Sequence, residues 1–107
     1  MILQNDKKYE CYLGDGLSVM RQFPDSCINC IVTSPPYWGM RIYDNAEDEN
    51  EVGNEKDFQM YVRKLTDIFT EARRILTTDG SLWLNLGDKY NNKALMGMPW
   101  RVAIALM

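Results

Sequence analysis

The sequence predicts an α/β fold in which parallel strands alternate with helices in the order β-α-β-α-β-α. Two apolar stretches, 27–33 and 81–86, have the length and composition of strands buried on both faces. Between them, apolar residues recur every three or four positions from Phe58 to Leu76, which is the spacing of an amphipathic helix. Alternating strands and helices form parallel sheets with right-handed crossovers.

The first half of this pattern begins with a short strand at 9–13, which the glycines around Asp15 interrupt. A short helix follows over 17–23 and stops at Pro24. The next strand covers 27–33 and ends abruptly at Ser34.

The second half is dominated by the long helix, for which Asn54 is the predicted N-cap and Gly80 the predicted C-terminal stop. The strand at 81–86 comes next, followed by a polar loop over 89–93. The last helix begins at Pro99, which suits a first helical turn, and continues to the end of the sequence.

Composition is that of a globular protein: 107 residues, 46% apolar, 25% charged and a net charge of −3. A free-standing DNA clamp is normally basic, so the net charge of −3 argues against that class of protein. Seven acidic residues between Asp44 and Asp57 face one base, so this stretch is predicted to be a solvated, mobile loop. With no apolar run of membrane length and no signal peptide, the expected location is cytoplasmic.

The three cysteines do not predict a metal site. Cys27 and Cys30 have the spacing of a metal-binding pair, but the sequence has no second pair and no histidine. Both lie in an apolar stretch, so we expect them to be buried thiols that behave as small hydrophobes.

The informative segment is 33–38, with the sequence TSPPYW, at the end of the strand where open α/β sheets bind ligands. Pro35 and Pro36 fix the backbone and have no N–H, so the carbonyls of Ser34 and Pro35 can form a rigid edge of acceptors. Such an edge suits an exocyclic NH₂ group on a base, whose two hydrogens are donors. Gripping both hydrogens favours a more tetrahedral nitrogen, whose lone pair can then attack an electrophilic methyl group.

An aromatic face is needed as well, because a base inside a duplex must leave the stack before such chemistry. Tyr37 can stack on the extruded base, and Trp38 can wall the pocket.

This segment resembles the catalytic motif of the DNA amino-methyltransferases, in the serine version typical of cytosine-N4 enzymes. Adenine-N6 enzymes more often carry Asp or Asn at the position of Ser34. The segments 14–15, 82–90 and 97–103 also resemble parts of these enzymes, in the same order. The resemblance implies a partial Rossmann-like class I methyltransferase fold, S-adenosylmethionine as cofactor and DNA as partner.

The resemblance also implies the roles of individual residues. Ser34 and the Pro35 carbonyl would hold the target amine, with Pro36 completing the rigid corner. Tyr37 would stack on the flipped base, and Asp15 would accept a hydrogen bond from the adenine of the cofactor. No metal ligand is implied.

Two features of the family are missing from the sequence: the glycine-rich cofactor turn and a target-recognition segment. Residues 1–107 are therefore expected to be the N-terminal catalytic portion of a methyltransferase domain with a permuted motif order, in which the catalytic motif comes first. Such a portion would self-associate or pair with a missing C-terminal half, because its sheet has exposed edges.

Several functions stay open at this point. The leading one is methylation of cytosine N4 in duplex DNA, for restriction–modification or phage self-protection. Adenine-N6 methylation uses the same geometry, and glutamine methyltransferases have a similar motif with Asn at the position of Ser34. A different class is an inactive fragment that serves only as an interaction module. A cytosine-C5 mechanism is disfavoured because it requires a Pro-Cys nucleophile, which the sequence lacks.

Overall fold

The computed structural model describes residues 2–5, 8–39 and 52–107. Its elements, in chain order, are β1 (Ile2–Asn5), β2 (Glu10–Tyr12), α1 (Gly16–Met20), β3 (Ile28–Thr33), α2 (Phe58–Ile75), β4 (Leu76–Leu84), β5 (Tyr90–Asn91), β6 (Ala94–Leu95) and α3 (Met98–Leu106). Among the described residues, no helix is both long and apolar enough to cross a bilayer. The cytoplasmic location stays a prediction.

The centre of the fold is a parallel pair of strands, β3 and β4, which confirms the predicted pairing of these two segments. Val32 lies opposite Trp83, and Thr33 lies opposite Leu84. The helix α2 forms the connection between them, as a parallel pair requires. Both strands therefore end at the same edge of the sheet.

Helix α2 supplies most of the hydrophobic core. Asp57 is its N-cap, and the Asp57 side chain accepts a hydrogen bond from the N–H of Met60. The predicted apolar stripe is confirmed: the buried residues of the helix are Tyr61, Leu65, Phe69, Ala72 and Ile75. Together with Met98 and Val102 from α3, this stripe packs against the inner face of the sheet.

The sheet is covered on one face, and the prediction that both strands are buried on both faces was wrong. Ile31, Leu82 and Leu84 pack against the core, whereas Val32 is 77% exposed and Trp83 is 65% exposed. Side chains alternate along a strand, so Cys30 lies on the outer face with Val32. The expected burial of the cysteines was also wrong, since Cys30 and Cys27, which precedes β3, are both exposed.

The first strand does not belong to the parallel sheet, contrary to the prediction. Glu10–Tyr12 pairs antiparallel with Ile2–Asn5, an element that the sequence analysis missed. The two strands are too close in the chain for the long crossover that parallel pairing needs.

The boundaries of the long helix also differ from the prediction. Asp57 replaces Asn54 as the N-cap, and the helix ends at Ile75 rather than at Gly80, which lies within β4. Two β-branched threonines follow Leu76, and such residues favour extended backbone. The carbonyl of Ile75 accepts a hydrogen bond from the N–H of Cys27, so the end of the helix already leads into the strand pairing.

A hairpin replaces the polar loop predicted over 89–93. Its strands β5 and β6 pair antiparallel, and both residues of the turn, Asn92 and Lys93, have positive φ angles of 51° and 66°. Two consecutive positive φ values are the pattern of the type I′ turn, in which Asn is favoured.

The predicted acidic loop lies mostly outside the described residues, which resume at Val52. Its last part is described, and there the prediction that the acidic side chains are exposed to solvent was wrong for Glu55. The side chain of Glu55 is only 4% exposed and pairs with Lys64 at 3.4 Å.

Candidate active site

The candidate site lies where β3 and β4 end side by side. The N–H of Asn85 donates to the carbonyl of Thr33 at 3.0 Å, which extends the strand pairing by one residue. Ser34 and Asn85 consequently leave the sheet next to each other, and the side chains of both are exposed. The carboxyl ends of parallel strands are where open α/β sheets bind their ligands.

The two prolines after Ser34 form a corner that the core holds in place. The hydroxyl of Tyr61 donates to the Pro36 carbonyl at 2.8 Å, and Tyr61 itself is 1% exposed. Burial, with smaller contributions from Glu55 and Tyr37, raises the pKa of Tyr61 to about 12. Its hydroxyl is therefore a permanent donor at neutral pH, and it fixes the corner from the interior side.

Tyr37 lies across the sheet edge, half-buried, with its ring against Gly87. A Cβ atom at Gly87 would come within 2.5 Å of Cε2 of Tyr37, so any side chain there would displace the ring. The Tyr37 hydroxyl lies 3.3 Å from Nδ2 of Asn85, and the same amide nitrogen lies 3.5 Å from Oγ of Ser34. The edge thus brings Ser34, Tyr37 and Asn85 together.

Trp38 is anchored to the segment that precedes α2. Its indole N–H donates to the carbonyl of Glu55 at 2.9 Å, and its ring packs edge-on against Phe58. The ammonium group of Lys89 lies 4.5 Å from the centre of the indole. Since the indole N–H is engaged, Trp38 can offer a ligand only apolar surface, and its predicted role as a pocket wall stays a prediction.

A second anchor closes the corner just beyond Trp38. The N–H of Gly39 donates to the carbonyl of Gly53 at 2.7 Å. Gly53 is buried and has a φ of 112°, and a Cβ there would meet the Tyr37 carbonyl at 3.2 Å. The N–H of Gly53 in turn donates to the carboxylate of Glu55.

Asp15, the predicted cofactor ligand, lies at the start of α1. It follows β2 and caps α1, where its Oδ2 accepts from both the N–H and the hydroxyl of Ser18 at 3.0 Å. The side chain is exposed. A carboxylate has about four acceptor positions, so capping is compatible with a further hydrogen bond.

Asp88 binds the start of α3 instead of facing the cluster. Its two oxygens accept from the N–H groups of Met98 at 3.0 Å, Gly97 at 2.9 Å and Lys89 at 2.7 Å. These backbone donors, that of Met98 first, hold the pKa of Asp88 below its usual range, with a smaller contribution from Arg101.

A groove of about 560 Å³ lies elsewhere, between α2 and α3. Phe58, Val62, Arg101 and Ile104 are among its lining residues, and none of residues 34–38 lines it. The residues that the sequence singled out at 34–38 therefore lie at the open edge of the sheet and outside this groove.

Sequence reasoning missed three residues that shape the site. Asn85 carried a usable signal, because it is a polar residue at the end of an apolar strand, as Ser34 is. Tyr61 was assigned only to the core stripe, although a hydroxyl in an apolar stripe needs a partner. Glu55 was hidden in the acidic run.

In this α/β arrangement the proline corner follows the carboxyl end of a parallel strand, which is where open α/β sheets bind their ligands. Comparison with known proteins gives the family. The model of the N6/N4 methyltransferase family, described as DNA methylase, matches residues 28–107. The chain therefore belongs to this family of DNA methylases, whose members use S-adenosylmethionine as methyl donor.

The relatives are type II methyltransferases. The chain is 38% identical to M.Cfr9I of Citrobacter freundii, over 87% of this chain and 40% of that enzyme. It is 36% identical to M.XycI of Xanthomonas campestris pv. cyanopsidis, over 99% of this chain and 43% of that enzyme. The chain thus spans less than half the length of these relatives.

Solved structures agree with this assignment. The PvuII DNA methyltransferase, described as cytosine-N4-specific, superposes with a TM-score of 0.65 at 25% identity, covering 87% of this chain and 31% of that one. A Thermus thermophilus protein described as a putative DNA modification methylase has the same fold, with a TM-score of 0.66 at 23% identity, covering 87% and 36%.

Proposed function

We propose that the full-length protein carrying these residues methylates N4 of cytosine in duplex DNA, as part of restriction–modification or phage self-protection. The observation that carries the proposal is the exposed Ser34 at the sheet edge, next to a proline corner that is fixed by the hydrogen bond from Tyr61. Ser34 and the Pro35 carbonyl accept the two hydrogens of the target amine. Because Tyr61 engages the Pro36 carbonyl from inside, the corner does not need to reorganise when the base arrives.

Tyr37 stacks on the flipped base in this proposal. Gly87 leaves the space that its ring occupies, and Asn85 donates to its hydroxyl. A preorganised aromatic face lowers the loss of side-chain freedom on binding. Trp38 closes the same side of the pocket with its apolar surface.

S-adenosylmethionine supplies an electrophilic methyl group. Its adenine carries an amine, which is a donor, and the exposed carboxylate of Asp15 is a suitable acceptor. The capping of α1 holds that carboxylate in one orientation.

We propose further that residues 1–107 form the N-terminal catalytic portion of a Rossmann-like class I domain with the catalytic motif first. The glycine-rich cofactor turn and the target-recognition segment would then lie in other parts of the protein. The open outer face around Val32 and Trp83 is compatible with self-association or with packing of such a second half.

Adenine-N6 methylation is the second candidate, because the same acceptors fit an adenine amine. The Ser at position 34 favours cytosine, as does the likeness to the cytosine-N4-specific PvuII structure.

The deciding experiment is to express the full-length protein in a host that lacks both modified bases, and to identify methylated nucleosides in its DNA by mass spectrometry. N4-methylcytosine is expected, and it should disappear in the Ser34→Ala variant. Detection of N6-methyladenine alone would show that adenine rather than cytosine is the target. Absence of any methylated base would overturn both the cytosine and the adenine proposals. Calorimetry of residues 1–107 with S-adenosylmethionine tests the interaction-module alternative, which absence of binding would favour.

A further inference from the structure

The edge that carries the proline corner presents a donor directly beside an acceptor. Nδ2 of Asn85 lies 3.5 Å from Oγ of Ser34 and 3.3 Å from the Tyr37 hydroxyl, and the Asn85 side chain is exposed. Its backbone is fixed by the hydrogen bond to Thr33 at the end of the strand pairing. The amide is therefore held at a defined distance from the group that accepts the target amine.

This order of groups matches one class of base edge. In cytosine, the amine at position 4 donates and the neighbouring ring nitrogen N3 accepts. In adenine, the amine at position 6 donates and N1 accepts. The O6–N1 edge of guanine and the O4–N3 edge of thymine present the reverse order, because a carbonyl that accepts stands beside a ring N–H that donates.

We propose that Asn85 is a specificity-determining residue, whose amide N–H donates to the ring nitrogen adjacent to the target amine while Ser34 accepts from that amine. This inference rests on the proposed function and assigns the residue that reads the base itself. Guanine or thymine at the same edge would place donor against donor and acceptor against acceptor. A site with hydrogen-bonding groups rejects such a ligand because its polar groups stay unpaired.

The contact between Asn85 and Ser34 is compatible with this role. A hydroxyl oxygen has two acceptor positions, and an amide nitrogen has two hydrogens. Ser34 can keep Asn85 as one donor and take the target amine as the second. The other amide hydrogen of Asn85 is directed at the Tyr37 hydroxyl at 3.3 Å, and in this proposal the ring nitrogen replaces that hydroxyl as its acceptor when the base binds.

The test removes the ring nitrogen and the amide separately. The target site is first located from the modified positions in DNA of cells that express the full-length protein. Single-turnover methylation is then measured on a duplex with the normal target base and on one with its deaza analogue, 3-deazacytosine or 1-deazaadenine. The parent protein is compared with Asn85→Ala, with Asn85→Asp and with a matched control, Asn91→Ala, which changes an exposed asparagine in β5.

The parent protein and Asn91→Ala should methylate the deaza duplex about tenfold more slowly than the normal one, the loss expected for one hydrogen bond. Asn85→Ala should be slower on the normal duplex and should treat the two duplexes alike, within about twofold. Asn85→Asp, which offers an acceptor where a donor is needed, should be slower than Asn85→Ala. The ratio of the two rates within each variant does not depend on the amount of folded protein.

If Asn85→Ala retains the parent's preference for the normal base, this inference is wrong and the proposed methylation stands. If the parent protein forms no methylated base, the proposed function fails and this inference fails with it.

Discussion

Tyr37 depends on a neighbour without a side chain. Gly87 leaves the space that the phenol ring occupies, and Asn85 contacts the hydroxyl at the far end of the ring. The ring is thereby oriented at the sheet edge, as the proposed stacking on a base requires. At the scale of single residues, the position of Tyr37 thus depends on the lack of a side chain at Gly87 and on the amide of Asn85.

Replacement of Tyr37 tests the stacking role. Tyr37→Ala should lose about 1–3 kcal/mol of base stacking, which lowers kcat/KM by about fivefold to about 150-fold. Tyr37→Phe keeps the ring and loses only the contact with Asn85, so it should retain most activity. Single-turnover methylation of duplex DNA by the full-length protein is the measurement. Equal rates for the alanine variant and the parent would place the target base elsewhere.

The sequence alone predicted the motif but not the residues that hold it in place, Tyr61 and Asn85. The proline pair and Tyr37 are adjacent in the chain, so their chemistry is visible in a short string of letters. Tyr61 and Asn85 are 25 and 48 residues away from their partners Pro36 and Tyr37. Such pairings depend on the register of β4 and the rotation of α2, which apolar periodicity does not specify to one residue.

At the scale of elements, α2 both fills the core and fixes the proline corner through Tyr61. Tyr61→Phe removes a single buried hydroxyl and leaves the Pro36 carbonyl without this donor. The free energy of unfolding should fall by about 1–3 kcal/mol, as expected for a buried polar group that loses its partner.

Chemical denaturation measures this change, with Tyr90→Phe as the control. Tyr90 is 67% exposed, so the same loss of a hydroxyl there should change the free energy of unfolding by less than about 0.5 kcal/mol. Equal effects of the two variants would contradict a supporting role for Tyr61.

The start of α3 predicts an acid-dependent stability. The N–H groups of Met98, Lys89 and Gly97 hold the pKa of Asp88 below its usual value of 3.8. The unfolded carboxyl group therefore takes up its proton at a higher pH than the folded one does. The stability that Asp88 contributes is present above the unfolded value and is lost as the pH falls through the lower, folded value.

Asp88→Asn keeps one acceptor and cannot be protonated in this range. Between about pH 5 and about pH 2, the melting temperature of the parent should fall more steeply than that of Asp88→Asn. The difference between the two slopes isolates Asp88 from the other carboxylates. Parallel slopes in thermal melts across this range would contradict this contribution of Asp88 to stability.

Element boundaries were the least predictable part of the fold. The stripe of α2 was visible because many buried side chains repeat one spacing, but its ends depend on single contacts such as the Asp57 cap. Strand β1 and the hairpin β5–β6 are too short for a periodic signal. β1 pairs with the nearby β2, and β5 and β6 are joined by a turn in which Asn92 and Lys93 have positive φ angles.

On the scale of the whole molecule, the sheet has an inner and an outer face. The sequence predicted that both faces of the sheet are buried, because Val32 and Trp83 are as apolar as their neighbours. Composition reports which side chains favour burial but not which element covers them. The exposed side chains of Val32 and Trp83 therefore predict that copies of the chain associate through the outer face of the sheet.

Light scattering at micromolar concentration should give residues 1–107 a mass above that of the monomer, 12.5 kDa. Trp83→Lys should lower that mass, because a charge in an apolar contact must be desolvated. Trp100→Lys, which changes an equally exposed indole on α3, is the matched control. A strictly monomeric parent would contradict the prediction, and a response of Trp100→Lys alone would place the contact on α3.

The hydrogen bond from Gly39 to Gly53 has a consequence for how such a protein can change. Because the backbone meets itself there, the two ends of the intervening stretch are joined regardless of how many residues separate them. In general, doubling the number of residues between two joined points adds only about 0.6 kcal/mol of closure entropy. Insertions and deletions between these two glycines can therefore accumulate while the geometry of the neighbouring tyrosine and prolines is conserved.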